Sequence, residues 1–260
     1  MRCRPLLSLL LAAALLLSIA TSADAELVER GGLFVRFQGG LAPTALPRDS
    51  LAPISVSVDG TVKTLSGERP PALRRISIEL NRGGVLDPRG LPVCRFEELR
   101  STADKQALAN CGDALVGRGS YLASTAFPEQ LSFPSSGQIL AFNAVVAGRP
   151  AILAHVYGTE PVAMTRLITF HIRHRRGAYG TVLTGALPPA LNRYGYVKRI
   201  SLRLHRRFVY RGEQRSYLAA ACPAPAGFPG ATFPFARAAM SFADGRTLTS
   251  TLTRSCRVRG

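Results

Sequence analysis

Basic and aromatic side chains concentrate between residues 171 and 215 of this 260-residue sequence, which we term the basic segment. Its arginines and lysine are Arg173, Arg175, Arg176, Arg193, Lys198, Arg199, Arg203, Arg206, Arg207, Arg211 and Arg215, against a single acid, Glu213. The segment also holds Tyr179, Tyr194, Tyr196 and Tyr210, and Tyr217 follows it. Guanidinium groups beside aromatic rings suit anionic polymers, through charge attraction and stacking. We expect an anion-binding set of Arg199, Arg203, Arg206, Arg207, Arg211, Tyr196 and Tyr210.

The same charge has a simpler explanation in the composition of the chain. The sequence has 33 basic and 16 acidic residues, and only Lys63, Lys105 and Lys198 of the basic residues are lysine. Such an arginine bias is typical of GC-rich coding, and it favours a solvated polar face without a ligand. If the face does bind, the ligands expected outside a cell are wall polymers, acidic polysaccharides, anionic lipid headgroups or DNA.

A hydrolase is the alternative function, because serines and carboxylates are present together with four histidines, His155, His171, His174 and His205. Hydrolysis through a nucleophilic serine requires a histidine base and an orienting carboxylate. No Gly-x-Ser-x-Gly motif marks the nucleophile, so such a site would be assembled across strands. We assign no catalytic residue and favour a non-catalytic protein.

Metal, nucleotide and cofactor sites are not predicted. His171 and His174 are three residues apart, so on a strand they would face opposite sides of the sheet. The cysteines lack the short spacing of zinc ligands. No glycine-rich loop follows a strand and opens a helix, as nucleotide binding would require.

Residues 1–25 have the composition of a secretory signal peptide. Arg2 and Arg4 precede an apolar run from residue 6 to residue 20, and Ala23-Asp24-Ala25 fits the cleavage rule for small residues. Cleavage near Ala25 would leave 31 basic and 15 acidic residues, a net charge of +16. No later apolar run reaches the length of a membrane-spanning helix. We expect a secreted or extracytoplasmic protein without a transmembrane anchor.

Two similar stretches predict the central strands of the fold, residues 75–82 and residues 199–206. Aliphatic residues alternate with polar ones in both, as a strand with one buried face requires. Gly-Thr-Val, Pro-Pro-Ala-Leu and a cysteine accompany each stretch in the same order, at offsets of roughly 120 residues. This pattern favours an internal duplication, although chance recurrence in a chain rich in Ala, Leu and Arg is the alternative.

The turn spacing predicts an all-β fold, an antiparallel β-sandwich of about a dozen strands. We divide the chain into an N-terminal strand with a proline-rich linker (26–53), a first repeat (54–165) and a second repeat (166–260). The two repeats are expected to form either two units or one compact body.

One short helix is predicted between Cys94 and Cys111. Ser101 or Thr102 is expected to cap its start, and Gly112 to end it in the left-handed conformation. The helix would be short and marginally stable alone, so a disulfide that brackets it would stabilise it.

Four cysteines follow the signal peptide, namely Cys94, Cys111, Cys222 and Cys256. An even number in an exported chain indicates two disulfides, for which three connectivities exist. We predict Cys94–Cys111 and Cys222–Cys256, because each pair then lies within one repeat.

Four motifs resemble those of a group of exported proteins of high-GC, actinomycete-type bacteria. They are residues 90–94 (GLPVC), 155–159 (HVYGT), 222–225 (CPAP) and 247–256 (TLTSTLTRSC). The likeness spans nearly all of the chain after the signal peptide. It implies export, and it supplies no catalytic residue that could be transferred to this sequence.

Overall fold

The computed structural model describes residues 26–127, 129–188 and 195–259. The predicted signal peptide, Arg193, Tyr194 and most of the second Pro-Pro-Ala-Leu motif lie outside these residues. Strands dominate the described part and the helices are short, so the predicted all-β fold is confirmed.

Eighteen strands and two helices make up the described chain. The strands up to the helices are β1 (Glu26–Arg30), β2 (Leu33–Ala42), β3 (Ala45–Leu46), β4 (Ala52–Pro53), β5 (Ser55–Thr64), β6 (Leu73–Asn81) and β7 (Gly84–Leu86). Helices α1 (Phe96–Leu99) and α2 (Asp104–Cys111) follow. The next strands are β8 (Leu115–Thr125), β9 (Phe133–Val146), β10 (Arg149–Gly158), β11 (Met164–His174), β12 (Tyr179–Ala186) and β13 (Gly195–Leu204). The last are β14 (Arg207–Tyr210), β15 (Glu213–Ser216), β16 (Leu218–Ala220), β17 (Gly230–Phe242) and β18 (Thr247–Val258).

Thirteen of these strands form one sheet in the order β1-β2-β5-β13-β8-β9-β10-β11-β12-β6-β17-β18-β3. Its neighbours pair antiparallel, except that β3 joins β18 in parallel. The two ends of the sheet meet, because the Glu26 carboxylate accepts hydrogen bonds from the Ser250 hydroxyl and the Thr253 amide, both at 3.3 Å. This curvature gives the sheet a buried inner face and an exposed outer face.

The inner face carries the main hydrophobic core, which follows from the period of two along each strand. In β2, Leu33, Val35 and Phe37 are buried, whereas Arg36 between them is exposed. Leucine, isoleucine and phenylalanine side chains of β6, β13, β17 and β18 pack into the same cluster. The outer face is therefore mostly polar where no other element covers it, with exceptions such as Leu122, which is 40% exposed.

Each of the two similar stretches lies between strands from the other half of the chain. The strand β6, from the first half of the chain, lies between β12 and β17, and β13, from the second half, lies between β5 and β8. Strands of the two predicted repeats therefore pair with each other. The duplication itself stays a prediction.

The helices cover the outer face of β9 and β10. Leu99 of α1 and Ala107 of α2 pack with Phe142 and Leu153 in a second buried cluster. Helix α2 begins at Asp104 after Ala103, and no side chain caps it. Gly112 is right-handed and opens a 3-10 turn. Both details of the sequence prediction, the Ser101 or Thr102 cap and the left-handed Gly112, were wrong.

Both predicted disulfides are present. Cys94 bonds to Cys111 and Cys222 bonds to Cys256, and all four residues are buried. Disulfides of this kind form in oxidising compartments. None of the described helices is long and apolar enough to cross a membrane.

Candidate anion-binding face

Four adjacent strands, β2, β5, β13 and β8, present a positively charged outer surface, which we term the basic face. Its cations are Arg36, Lys63, Arg118, Lys198, Arg199 and Arg203, and all six side chains are exposed. Asp59 is the only acidic residue within these four strands. The face therefore carries a formal charge of about +5, which is far above the charge of a mixed protein surface.

The pairing register brings these cations into rows across the strands. Arg36 of β2 lies opposite Thr61 of β5, which in turn lies opposite Arg199 of β13. Four residues further along β13, Arg203 lies directly opposite Arg118 of β8. Neighbouring strands are about 4.8 Å apart, so cations from four strands converge on one surface.

Most of these cations lack an acidic partner. Arg199 forms an ion pair with Asp59 at 2.9 Å. Arg36 donates to the side-chain oxygen of Gln38 at 2.7 Å, once that amide is oriented toward it. Within the described part of the chain, Arg36, Lys63, Lys198 and Arg203 form no ion pair with a carboxylate. Their charge is therefore available to a ligand.

An open groove of about 760 Å³ runs along one side of the basic face. Its lining includes two aromatic rings, Phe34 and Tyr196, and three cations, Arg36, Lys63 and Lys198. The Lys63 ammonium lies 5.8 Å above the Phe34 ring, and the Lys198 ammonium lies 5.9 Å above the Tyr196 ring. The groove thus combines the ring and cation chemistry predicted for the basic segment.

The residues predicted from the sequence divide between the basic face, the position just after β13 and a separate hairpin. Tyr196, Arg199 and Arg203 lie on β13 and belong to the basic face. Arg206, which follows β13, donates to the backbone oxygen of Asp113 at 3.2 Å. The remaining three, Arg207, Tyr210 and Arg211, lie on the small hairpin of β14 and β15, which is a separate sheet.

The hairpin residues do not form a comparable site. Tyr210 packs against Gly90, where a Cβ atom would lie only 2.2 Å from its ring. The guanidinium groups of Arg211 and Arg215 lie 5.3 and 5.6 Å from the centre of this ring, and Arg215 also pairs with Asp87 at 3.3 Å. Arg207 is exposed and projects from the strand in alternation with Phe208. The basic segment therefore does not form one surface.

The start of the basic segment lies elsewhere again, at the end of β11. There Glu79 pairs with Arg175 at 3.6 Å, and it also pairs with Arg237 from β17. This carboxylate partly neutralises the local charge.

Sequence reasoning missed the cations that the first half of the chain contributes, Arg36, Lys63 and Arg118, together with the Phe34 ring. A signal for two of them exists in β2, where Phe34 and Arg36 alternate with buried Leu33, Val35 and Phe37. Alternation assigns these two side chains to the exposed side of a strand. It does not reveal that β13 lies on the far side of β5.

His155 of β10 is relevant to the hydrolase alternative because it lies next to a carboxylate. Its Nδ1 atom is 3.6 Å from Oδ1 of Asp104. Its Nε2 atom is 2.9 Å from the backbone oxygen of Thr102 and 3.2 Å from the hydroxyl of that residue. The imidazole is fully buried, whereas a catalytic base must reach its substrate. We interpret the pair as an anchor of the helical segment, and the hydrolase stays a prediction.

Asp104 provides a stability prediction. Burial raises the pKa of its carboxyl above the ordinary value of 3.8, although the charges of His155 and Arg118 oppose this shift. A carboxyl with a raised pKa in the folded state adds stability at low pH, and this contribution is lost as the pH rises through the folded pKa. We expect the stability of the wild type, relative to Asp104→Asn, to fall as the pH rises above 3.8.

Urea unfolding of both proteins at a series of pH values between about 3 and 7 measures this difference. The asparagine variant lacks the titrating group, so subtraction removes the pH dependence that the two proteins share. A difference that stays constant, or that rises with pH, contradicts the assignment of a raised pKa to Asp104.

Glu98 lies near the first disulfide, with its carboxylate 3.7 Å from Sγ of Cys111. Two cysteines and a glutamate at this distance resemble a set of metal ligands. Thiolates bind metal ions, however, and these two sulfur atoms are bonded to each other. The cluster therefore stabilises the helical segment as a disulfide.

Comparison with protein families, with curated proteins and with solved structures finds no match to this chain. No functional residue can therefore be transferred from a relative. Function has to be inferred from the charge, burial and contacts of the described side chains.

Proposed function

We propose that this is an exported, non-catalytic all-β protein that binds an anionic polymer or surface of the cell envelope through its basic face. One observation carries the proposal, namely six exposed cations against a single carboxylate on four adjacent strands. A surface of this kind attracts polyanions over distances near the Debye length.

The arrangement of Arg118 and Arg203 supports binding over a merely solvated surface. These like charges lie directly opposite each other on paired strands, an arrangement that destabilises a sheet. Arg203 gains only a long contact of 3.5 Å with the Ser55 hydroxyl. An anion bound between the two guanidinium groups would relieve this repulsion.

Export is supported by three features. Residues 1–25 have the pattern of a signal peptide, two disulfides require an oxidising compartment, and four motifs resemble those of exported proteins. Anionic polymers and lipids are abundant ligands outside the cytoplasm. The basic face would hold the protein to such a surface by charge.

Retention on an immobilised heparin column, eluted with a salt gradient, tests the binding role. The triple variant Arg36→Gln, Lys63→Gln, Arg203→Gln removes three unpaired cations of the basic face. We expect it to elute at a clearly lower salt concentration than the wild type, because electrostatic binding weakens with each lost contact.

The matched control is Arg149→Gln, Arg207→Gln, Arg211→Gln, which removes three exposed arginines outside the basic face. Its net charge equals that of the triple variant Arg36→Gln, Lys63→Gln, Arg203→Gln, which we term the face variant. Effects of net charge on retention are therefore the same in both. We expect it to elute close to the wild type. Equal losses of retention in the two variants would show that binding depends on net charge and would reject the basic face.

A further inference from the structure

The lysines of this chain are distributed unevenly. The sequence has only three, Lys63, Lys105 and Lys198, among 33 basic residues. Two of these three stand above the two aromatic rings of the same groove. A coding bias toward arginine does not explain why both rings are paired with lysine.

Lysine and arginine differ in how much of the face of an aromatic ring they cover. A guanidinium group stacks flat on the ring and covers it, whereas an ammonium is a compact point charge on a flexible stem. At 5.8 and 5.9 Å from the ring centres, the two ammonium groups stand beyond van der Waals contact. Phe34 and Tyr196 are also partly exposed, so each ring keeps surface that a ligand can cover, with a cation next to it.

The spacing of the two rings indicates the kind of ligand. Phe34 lies on β2 and Tyr196 on β13, with β5 between them, so strand spacing separates the rings by roughly 10 Å. Successive bases of a stacked nucleic acid strand are only about 3.4 Å apart, so neighbouring bases of such a strand cannot cover both rings. Alternate sugar units of a polysaccharide, two linkages apart, span a separation of this size, and their C–H faces suit aromatic faces.

We propose that the groove between Phe34 and Tyr196 is a subsite for an acidic polysaccharide. Its sugar rings cover the two aromatic side chains, and its carboxylates pair with Lys63, Lys198 and Arg36. The assignment rests on the proposed function of the basic face and names its ligand. With the Gln38 amide turned so that its oxygen faces Arg36, this oxygen accepts a hydrogen bond from the guanidinium group at 2.7 Å and orients it.

The three lysines also provide a direct test. Protein labelled with ¹³C at the lysine Cε position gives one signal for each of Lys63, Lys105 and Lys198, and single lysine-to-arginine variants assign them. An oligogalacturonate of three or four units is the probe. We expect the signals of Lys63 and Lys198 to shift. The signal of Lys105, on α2, should stay in place.

Three further probes define the ligand class: the methyl-esterified oligogalacturonate, a single-stranded oligodeoxythymidine and vesicles of anionic phospholipid. The neutral ester should shift the lysine signals far less than the acid does. Tighter binding of the oligonucleotide or the vesicles at Lys63 and Lys198 would overturn the assignment to an acidic polysaccharide.

The double variant Lys63→Arg, Lys198→Arg keeps every charge and covers both rings with guanidinium groups. We expect it to bind oligogalacturonate at least tenfold more weakly than the wild type, while its salt elution from a sulfonate cation exchanger, which responds to charge and offers no sugar rings, stays unchanged. Equal oligogalacturonate affinity would reject the subsite and leave the basic face intact. If the face variant and its control instead eluted from heparin at the same salt concentration, the proposed function would be rejected.

Discussion

Removal of the Cys222–Cys256 disulfide is expected to lower the free energy of unfolding by about 4 kcal/mol. The bond closes a loop with a sequence separation of 34, and opening it returns conformational entropy to the unfolded chain. Both cysteines lie within the main core. The double variant Cys222→Ala, Cys256→Ala leaves no free thiol at this position, and urea unfolding measures the loss.

The other disulfide serves as the internal comparison. Cys94–Cys111 has a sequence separation of 17, so its removal is expected to lower the stability by about 3 kcal/mol. It also fixes the helical segment on β9 through the bridge between Cys94 and Ala144. A negligible effect of the Cys222–Cys256 variant under oxidising conditions would refute the stabilising role assigned to that bond.

Phe142→Ala is expected to lower the free energy of unfolding by about 3–5 kcal/mol. The ring is fully buried in the second hydrophobic cluster, between β9 and the helices. Truncation removes apolar contacts and leaves a cavity. The disulfide holds the helical segment in place, so the surrounding structure closes this cavity only in part. Thermal or urea unfolding gives the value, and the near-ultraviolet circular dichroism reports whether the fold persists.

Phe228→Ala is the matched control, since it makes the same chemical change at a side chain that is 61% exposed. Surface substitutions of this kind usually change stability by less than about 0.5 kcal/mol. Similar losses at Phe142 and Phe228 would show that the second cluster is not packed as described.

Much of the strand content was accessible from the sequence because alternation is a local property. The pattern of aliphatic and polar residues in β6 and β13 predicted both strands. The disulfide pairing followed from the position of each cysteine relative to the similar stretches. The helix was predicted in the right segment, but its start was placed too early.

The strand order was not accessible, because it depends on contacts between residues far apart in the chain. Nothing in residues 199–206 indicates that β13 inserts between β5 and β8. The predicted binding set was therefore taken from one continuous segment. The structure instead joins Arg36, Lys63 and Arg118 from the first half with three cations from the second.

The shared location of two of the three lysines was also not accessible from the sequence. Lys63 and Lys198 are 135 positions apart, and only the pairing of β2, β5 and β13 brings them into one groove. Phe34 and Tyr196 become neighbours of these lysines for the same reason. The composition shows that lysine is scarce, and only the fold shows that two of the three lysines lie beside aromatic rings.

The salt dependence of heparin affinity tests the basic face most directly. The logarithm of the binding constant should fall linearly with the logarithm of the salt concentration, with a slope that counts the cations in contact. For Arg36→Gln, Lys63→Gln, Arg203→Gln we expect a slope smaller by roughly 2–3 than that of the wild type. The control at Arg149, Arg207 and Arg211 should keep the wild-type slope, and an equal decrease in both variants would contradict a localised binding face.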